Sequence, residues 1–104
     1  VSGISCTDTE TREAIEDVYA RSGYIMDPHG AVAYLGLKKS MRASPRCVGI
    51  FFETAHPGKF KDVVEETIRE KLDLPPPLTA LIGKKKIAER MSATFSDLKK
   101  YLLK

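Results

Sequence analysis

Residues 47 to 52 have the sequence Cys-Val-Gly-Ile-Phe-Phe, an uninterrupted apolar run with Pro45 before it and polar residues from Glu53 onward. A short apolar run bounded in this way is typical of a β-strand buried on both faces. After a polar turn, apolar residues recur at intervals of three and four from Phe60 to Leu72, which predicts an amphipathic helix. Strand, turn and helix follow one another in the order of an α/β unit, so this stretch predicts an α/β fold class.

Two helices are predicted before this run. Residues 7–10, Thr-Asp-Thr-Glu, form a capping box that begins the first helix, and Gly23 is placed to end it in a left-handed conformation. Asp27 is the predicted cap of the second helix, and Pro28 suits its first turn because proline has no amide hydrogen to lose. Residues 31–37 are apolar on nearly all sides, so the second helix needs burial in a larger body.

The rest of the chain is predicted to contain a proline connector and two helices. Residues 75–77, three prolines, form a stiff extended connector, followed by a short helix near 78–82 and a last one near 95–103. A single strand among helices would leave its backbone donors and acceptors unpaired in an apolar setting. We therefore expect the partner strands to lie outside this chain.

Composition argues against several classes of protein. The net charge of +3 comes from 17 basic and 14 acidic residues that share the same predicted helices, which gives nucleic-acid binding little support. The apolar runs are far shorter than a membrane span, and the N-terminus has no signal-peptide pattern. Cys6 and Cys47 are the only cysteines, and Cys47 is expected to pack as a small hydrophobe, which favours a reducing, cytoplasmic setting. Two histidines and two cysteines without close pairing predict no metal site.

Two polar clusters are candidates for chemistry. Residues 53–57, Glu-Thr-Ala-His-Pro, follow the carboxyl end of the predicted strand, where open α/β sheets bind ligands. The alternative is that Thr54 or His56 caps the helix that follows. Residues 27–29, Asp-Pro-His, begin the second helix, whose free amides could face an anion such as phosphate, although an ordinary capped helix explains the same residues.

These two clusters resemble motifs of the bacterial and fungal type of threonine synthase. The motifs are Gly23-Tyr-Ile-Met-Asp-Pro-His-Gly-Ala-Val-Ala-Tyr34 and Phe52-Glu-Thr-Ala-His-Pro-Gly-Lys-Phe60. The resemblance covers nearly the whole chain and is weakest from residue 74 to 92. It implies that residues 1–104 are the C-terminal segment of a larger fold type II pyridoxal-phosphate enzyme. Within it we expect a helix-helix-strand-helix unit over 1–73, and a proline linker with C-terminal helices over 74–104.

The resemblance also implies a reaction and a site. Such enzymes convert O-phosphohomoserine and water into threonine and phosphate, with pyridoxal 5'-phosphate as the electron sink. In the family a hydroxyl residue faces the pyridine nitrogen of the cofactor, and Thr54 stands at the matching position. Asp27 and His29 are implied to lie near the cofactor ring, together with Ala55 and His56 of the second motif.

The same resemblance implies what the segment lacks. The lysine that holds the cofactor and the loop that binds its phosphate lie earlier in family enzymes, so we expect no catalytic residue and no turnover from this segment alone. Family members often have Thr or Ser where this chain has Gly30, so a hydroxyl contact there is absent. The expected partners are the remainder of the enzyme chain and the substrate, with self-association of the segment as a further expectation.

Two other functions remain open at this point. A threonine-synthase-like phospholyase would share scaffold and cofactor but eliminate phosphate from another phosphorylated amine or amino alcohol. A non-catalytic interaction module would instead use exposed strand edges to pair with another chain.

Overall fold

The computed structural model describes residues 3–43 and 46–103, which form five α-helices and one 3-10 turn. These elements are α1 (Asp8–Ser22), α2 (Pro28–Ala43), the 3-10 turn (Pro57–Phe60), α3 (Lys61–Ile68), α4 (Pro76–Thr79) and α5 (Phe95–Leu102). Helix α1 packs against both α2 and α3. The core lies where these three helices meet, and its fully buried apolar residues include Ile15, Met26 and Val64.

Helix α1 begins and ends where the sequence predicts. The Thr7 hydroxyl accepts a hydrogen bond from the Glu10 amide at 3.2 Å, and Glu10 Oε2 accepts one from the Thr7 amide at 2.7 Å. At the other end Gly23 has a φ of 70° and donates its amide hydrogen to the Tyr19 carbonyl at 2.8 Å. Both ends are therefore capped, and the predicted capping box is confirmed.

Helix α2 begins at Pro28, as predicted, with Asp27 before it. Asp27 Oδ1 accepts the His29 amide at 2.7 Å, which makes Asp27 the cap of the helix. Gly30 and Ala31 are buried, whereas residues 32–37 are only half-buried. The described residues therefore cover only part of the apolar surface of α2.

The predicted buried strand at residues 47–52 is wrong, and with it the α/β fold class. Residues 3–43 and 46–103 contain helices but no strand. A strand needs a second extended segment to pair its backbone groups, and the described residues offer none beside this run. Cys47 is exposed rather than packed. Pro45, the predicted boundary, lies outside the described residues.

Side chains in this run alternate between contact and solvent. Phe51 is half-buried, with its ring centroid 5.8 Å from that of Tyr34 on α2. Val48, Ile50 and Phe52 are 93, 77 and 78% exposed. We call these three residues the apolar stripe. The run was predicted to be buried on both faces because its composition is apolar throughout, whereas only one face meets α2.

Helix α3 follows the predicted turn but is shorter than the periodicity suggests. Val64 and Ile68 are buried, as their spacing predicts, and Phe60 and Leu72 pack against the same core. The helix nevertheless ends at Ile68, because Arg69 adopts a left-handed conformation with a φ of 59°. Leu72 therefore reaches the core from the segment after the helix.

The proline connector is shorter than predicted, and the first short helix begins within it. Pro76 and Pro77 occupy the first turn of α4, where the missing amide hydrogens cost no helical bond. Helix α5 lies where it was predicted, and Phe95 and Leu102 on it are 77 and 70% exposed. No helix in the described part of the chain is long and apolar enough to cross a membrane.

The chain as a whole is open. Its radius of gyration is 18.2 Å, whereas a compact domain of about 100 residues has one of about 13 Å. Together with the exposed apolar side chains, this dimension indicates that the three-helix core is small for the length of the chain.

Candidate functional site

The two polar clusters singled out in the sequence meet in the structure. The Asp27 amide donates a hydrogen bond to Glu53 Oε1 at 2.7 Å, across a separation of 26 residues. Asp27 stands at the N-terminus of α2, and Glu53 follows the apolar run. This one bond therefore joins the start of a helix to the turn that carries Thr54.

Asp27 is fully buried and organises the first turn of α2. Its Oδ1 accepts the His29 amide at 2.7 Å and lies 2.9 Å from His29 Nδ1. The His29 side chain is 66% exposed, and its ring centroid lies 5.0 Å from that of Phe60. Since Nδ1 is directed at Asp27, Nε2 is the ring nitrogen left for another group.

Asp27 and Glu53 form a buried carboxyl pair. Asp27 Oδ2 and Glu53 Oε2 are both buried, and neither has a hydrogen-bond partner within the described residues. Burial raises the pKa of Glu53 from 4.5 to about 7, and the neighbouring Asp27 adds to the rise. Burial alone would also raise the pKa of Asp27, but contact with Glu53 and hydrogen bonds from His29 hold it below its ordinary value. The arrangement favours a neutral Glu53 beside an ionised Asp27.

Gly30 makes room for the Glu53 carboxyl. A Cβ atom on residue 30 would lie 2.0 Å from Glu53 Oε2 and 2.4 Å from Glu53 Cδ, far inside contact distance. Side chains occupy the space that the two glycines of α2 leave, Glu53 at Gly30 and Ile4 at Gly36.

The second cluster divides into residues with different surroundings. Thr54 is exposed, and residues 3–43 and 46–103 give its hydroxyl no hydrogen bond. Ala55 is half-buried. His56 caps the 3-10 turn, with Nδ1 accepting the Gly58 amide at 3.0 Å, so the capping alternative is confirmed for His56 but not for Thr54. Glu53, Ala55 and His56 also line an open depression of about 530 Å³.

Glu53 stands within the second motif, but the sequence alone indicates no role for it. Its signal was a carboxylate directly after an apolar run, next to the residue proposed to meet the cofactor. The contact with Asp27 could not be read from the sequence, because it depends on how α2 packs. Within the described residues, no group of His, Cys, Asp or Glu side chains is arranged to hold a metal ion.

Comparisons with known proteins identify the family of the chain. The family model described as "Threonine synthase, C-terminal" matches residues 30–102. Threonine synthase from Haemophilus influenzae is 39% identical over 98 residues, which cover 94% of this chain and 22% of that protein. Threonine synthase-like 1 from Mus musculus is 32% identical over 102 residues, covering 83% of this chain and 13% of that protein.

A solved structure gives the same result. The crystal structure of threonine synthase from Escherichia coli superimposes with a TM-score of 0.81 at 34% identity, covering 92% of this chain and 22% of that one. The chain thus spans about a fifth of the length of the threonine synthases it matches. The chain belongs to the threonine synthase family, and it corresponds to the C-terminal region of that family.

Proposed function

We propose that this chain is part of a threonine synthase, a pyridoxal-phosphate-dependent lyase that converts O-phosphohomoserine and water into threonine and phosphate. In this proposal the chain supplies the side of the cofactor pocket that faces the pyridine nitrogen. The observation that carries the proposal is the bond between the Asp27 amide and Glu53 Oε1, because it brings both motifs of the family to one place.

The residues around the contact between Asp27 and Glu53 fit a pyridoxal group. The Thr54 hydroxyl is exposed and has no hydrogen bond to the described residues, so it is available to the ring nitrogen. His29 offers Nε2, since Nδ1 faces the buried Asp27. When bound, the cofactor supplies the electron sink for the reaction. Ala55 and His56 complete the proposed contact set from the turn after Thr54.

Each residue has a defined task in this proposal. Thr54 orients the ring through a neutral hydroxyl, which favours a protonated nitrogen less than a carboxylate would, because it lacks negative charge. Asp27 fixes the direction of the His29 ring, so that any proton held at Nε2 has a fixed position. Substrate selectivity would then depend on contacts outside this segment.

The remainder of the enzyme chain is the proposed partner. The apolar stripe is more than three-quarters exposed, and the radius of gyration is 18.2 Å, well above that of a compact chain of this length. Exposed apolar surface of this kind is usually covered by protein. The segment carries no lysine that matches the cofactor-binding motif, so we propose that it does not turn over substrate by itself.

The test uses the whole protein that contains this segment. We expect Thr54→Val to weaken cofactor binding and to slow phosphate release from O-phosphohomoserine by about tenfold or more. A factor of this size corresponds to the loss of about one hydrogen bond between Thr54 and the bound cofactor. Thr54→Ser should keep most of both, because it retains the hydroxyl. Thr9→Val, a change at an exposed threonine on α1, is the matched control. Unchanged binding and turnover in Thr54→Val would remove Thr54 from the site.

A related phospholyase is the second candidate. This chain is also similar to Threonine synthase-like 1 from Mus musculus over 83% of its length, so the similarity extends to proteins that are not named threonine synthase itself. The two candidates differ in the substrate from which phosphate is released. Comparing phosphate and threonine formation from O-phosphohomoserine with phosphate release from phosphorylated amino alcohols would separate them.

A further inference from the structure

We propose that Glu53 is a positioning residue of this site, whose carboxyl holds the Thr54 turn against the N-terminus of α2. The carboxyl occupies the space that a side chain on residue 30 would fill. The inference rests on the proposed function, because it assigns Glu53 a task in the proposed cofactor pocket. Glu53 acts through Thr54 and need not touch the cofactor itself.

The first support is the long-range bond. The amide of Asp27 lies at the start of α2, among the donors that a helix cannot pair internally, and Glu53 Oε1 accepts it at 2.7 Å. Asp27 is fully buried, so water cannot replace this acceptor without a rearrangement. Thr54 is the next residue after Glu53, so the bond fixes the backbone from which the Thr54 hydroxyl extends.

The second support is the carboxyl pair. Each partner has one buried oxygen without a hydrogen-bond partner, Oδ2 on Asp27 and Oε2 on Glu53. Two ionised carboxylates in one buried place repel each other, whereas one shared proton removes the repulsion and supplies a donor. The raised pKa of Glu53, about 7, agrees with a proton held on its side of the pair.

The third support is steric. With glycine at residue 30 the carboxyl fits against the first turn of α2, and a Cβ atom there would overlap it. A side chain at residue 30 and the present position of Glu53 therefore exclude each other. The Glu53 carboxyl is therefore the polar group that lies against this turn of α2.

Several ionisable groups share the surroundings of Glu53. Burial and then the charges of Glu53 and Asp27 raise the pKa of Tyr24. His29 favours the ionised forms of both acids. The groups that face Glu53 or line the adjoining depression are Tyr24, Asp27, His29, His56, Lys71 and Asp73. Because several ionisable groups lie around Glu53, the test follows the Glu53 carboxyl directly.

The proposal has a pH-dependent consequence. Below about pH 7 Glu53 carries its proton and stays beside Asp27. Above that pH the two carboxylates repel, and the bond to the Asp27 amide weakens. The Thr54 turn then loses its fixed distance from α2, and cofactor affinity should fall with it.

The experiment compares Glu53→Gln, Glu53→Ala and the exposed control Glu16→Gln in the whole protein. The readouts are the NMR titration of the Glu53 carboxyl carbon, hydrogen exchange at the Asp27 amide, and the pH dependence of cofactor affinity. Glutamine keeps an acceptor for the Asp27 amide and a donor for Asp27 Oδ2. In Glu53→Gln the Asp27 amide should therefore stay protected from exchange and cofactor affinity should be retained. Neither quantity should change near pH 7. Alanine should raise the exchange rate at Asp27 by about tenfold or more below about pH 7, where the wild-type bond is intact.

Two results would overturn the proposal. One is titration of the Glu53 carboxyl at its ordinary pKa, and the other is unchanged Asp27 protection in Glu53→Ala. The carboxyl titration and the exchange rate need no turnover, so they stand apart from the proposed reaction. If they behave as expected while the wild-type protein releases no phosphate from O-phosphohomoserine, the proposed function fails and the structural role of Glu53 remains.

Discussion

Replacing Gly30 by alanine should destabilise the protein, although alanine is the better helix former. The added Cβ would lie 2.0 Å from Glu53 Oε2, so the carboxyl must leave its place beside α2. Its departure deprives the buried Asp27 amide of the acceptor now at 2.7 Å. An unsatisfied buried donor costs about 1 to 3 kcal/mol. Alanine offsets this by up to about 1 kcal/mol in helix propensity, which leaves a net loss of about 1 kcal/mol and at most about 2 kcal/mol.

A double-mutant cycle isolates the cause. In a Glu53→Ala background the space beside residue 30 is free, so Gly30→Ala should stabilise by up to about 1 kcal/mol. The coupling free energy between the two positions should therefore be about 2 kcal/mol. Gly36→Ala is the matched control on the same helix, because its nearest neighbour is the flexible end of Ile4 at 3.1 Å. We expect that control to be neutral or stabilising.

Urea unfolding followed by far-UV circular dichroism measures all four states of the cycle. The m-values must agree before the free energies of unfolding are compared. If Gly30→Ala costs the same with and without the Glu53 side chain, the destabilisation does not come from the overlap. Steric exclusion between residue 30 and Glu53 would then be refuted, even if Gly30→Ala alone is less stable than the wild type.

Three further predictions concern stability. The folded-state pKa of Glu53 is raised from 4.5 to about 7, so its contribution to the free energy of unfolding is fully present below pH 4.5. That contribution is lost as pH rises to about 7, a fall of at most about 3 kcal/mol. Urea midpoints across this range test it, and a fall that persists in Glu53→Gln contradicts the assignment. Thr7→Ala should lower the free energy of unfolding by about 1 kcal/mol through loss of the capping box of α1, whereas Thr9→Ala should lower it much less. Equal losses in urea unfolding would argue against a stabilising cap at Thr7. Ile15→Ala should lower the free energy of unfolding by about 2 to 5 kcal/mol, because Ile15 is fully buried. Its control, Ile87→Ala at a site that is 98% exposed, should leave the thermal midpoint unchanged. A small loss in Ile15→Ala would show that the three-helix core is loosely packed.

Local signals in the sequence were enough to predict the helices of the core. The Thr7 capping box, the left-handed Gly23 and the pair Asp27 and Pro28 depend on residues within a few positions of each other. Their hydrogen bonds form wherever the helix forms, so residues that are close in sequence are enough to predict these helix ends. The end of α3 at Arg69 was missed because a left-handed arginine has no such signal.

The strand was mispredicted because pairing is a property of two segments. An apolar composition at residues 47–52 shows that burial is favoured, but it does not show what covers each face. Here α2 covers Phe51, and the apolar stripe has no cover among the described residues. The proline run was misjudged for a different reason, since Pro76 is equally suited to an extended connector and to the first turn of a helix.

The candidate site was predictable in its parts but not in its connection. Motif resemblance singled out Asp27 and Thr54, and capping rules predicted that Asp27 caps α2. The contact between Asp27 and Glu53 spans 26 residues and depends on how the apolar run lies on α2. The carboxyl pair and the space at Gly30 follow from that packing, so only coordinates could reveal them.

The apolar stripe also affects how the chain can be handled. Residues 47–52 contain no charge and no proline, and Val48, Ile50 and Phe52 leave alternate apolar side chains in contact with water. Short uncharged segments rich in such residues are prone to intermolecular β-aggregation when exposed. Preparations in which this surface is uncovered should therefore lose soluble protein on concentration. A lysine at Ile50 would be the simplest gatekeeper for keeping such samples monodisperse.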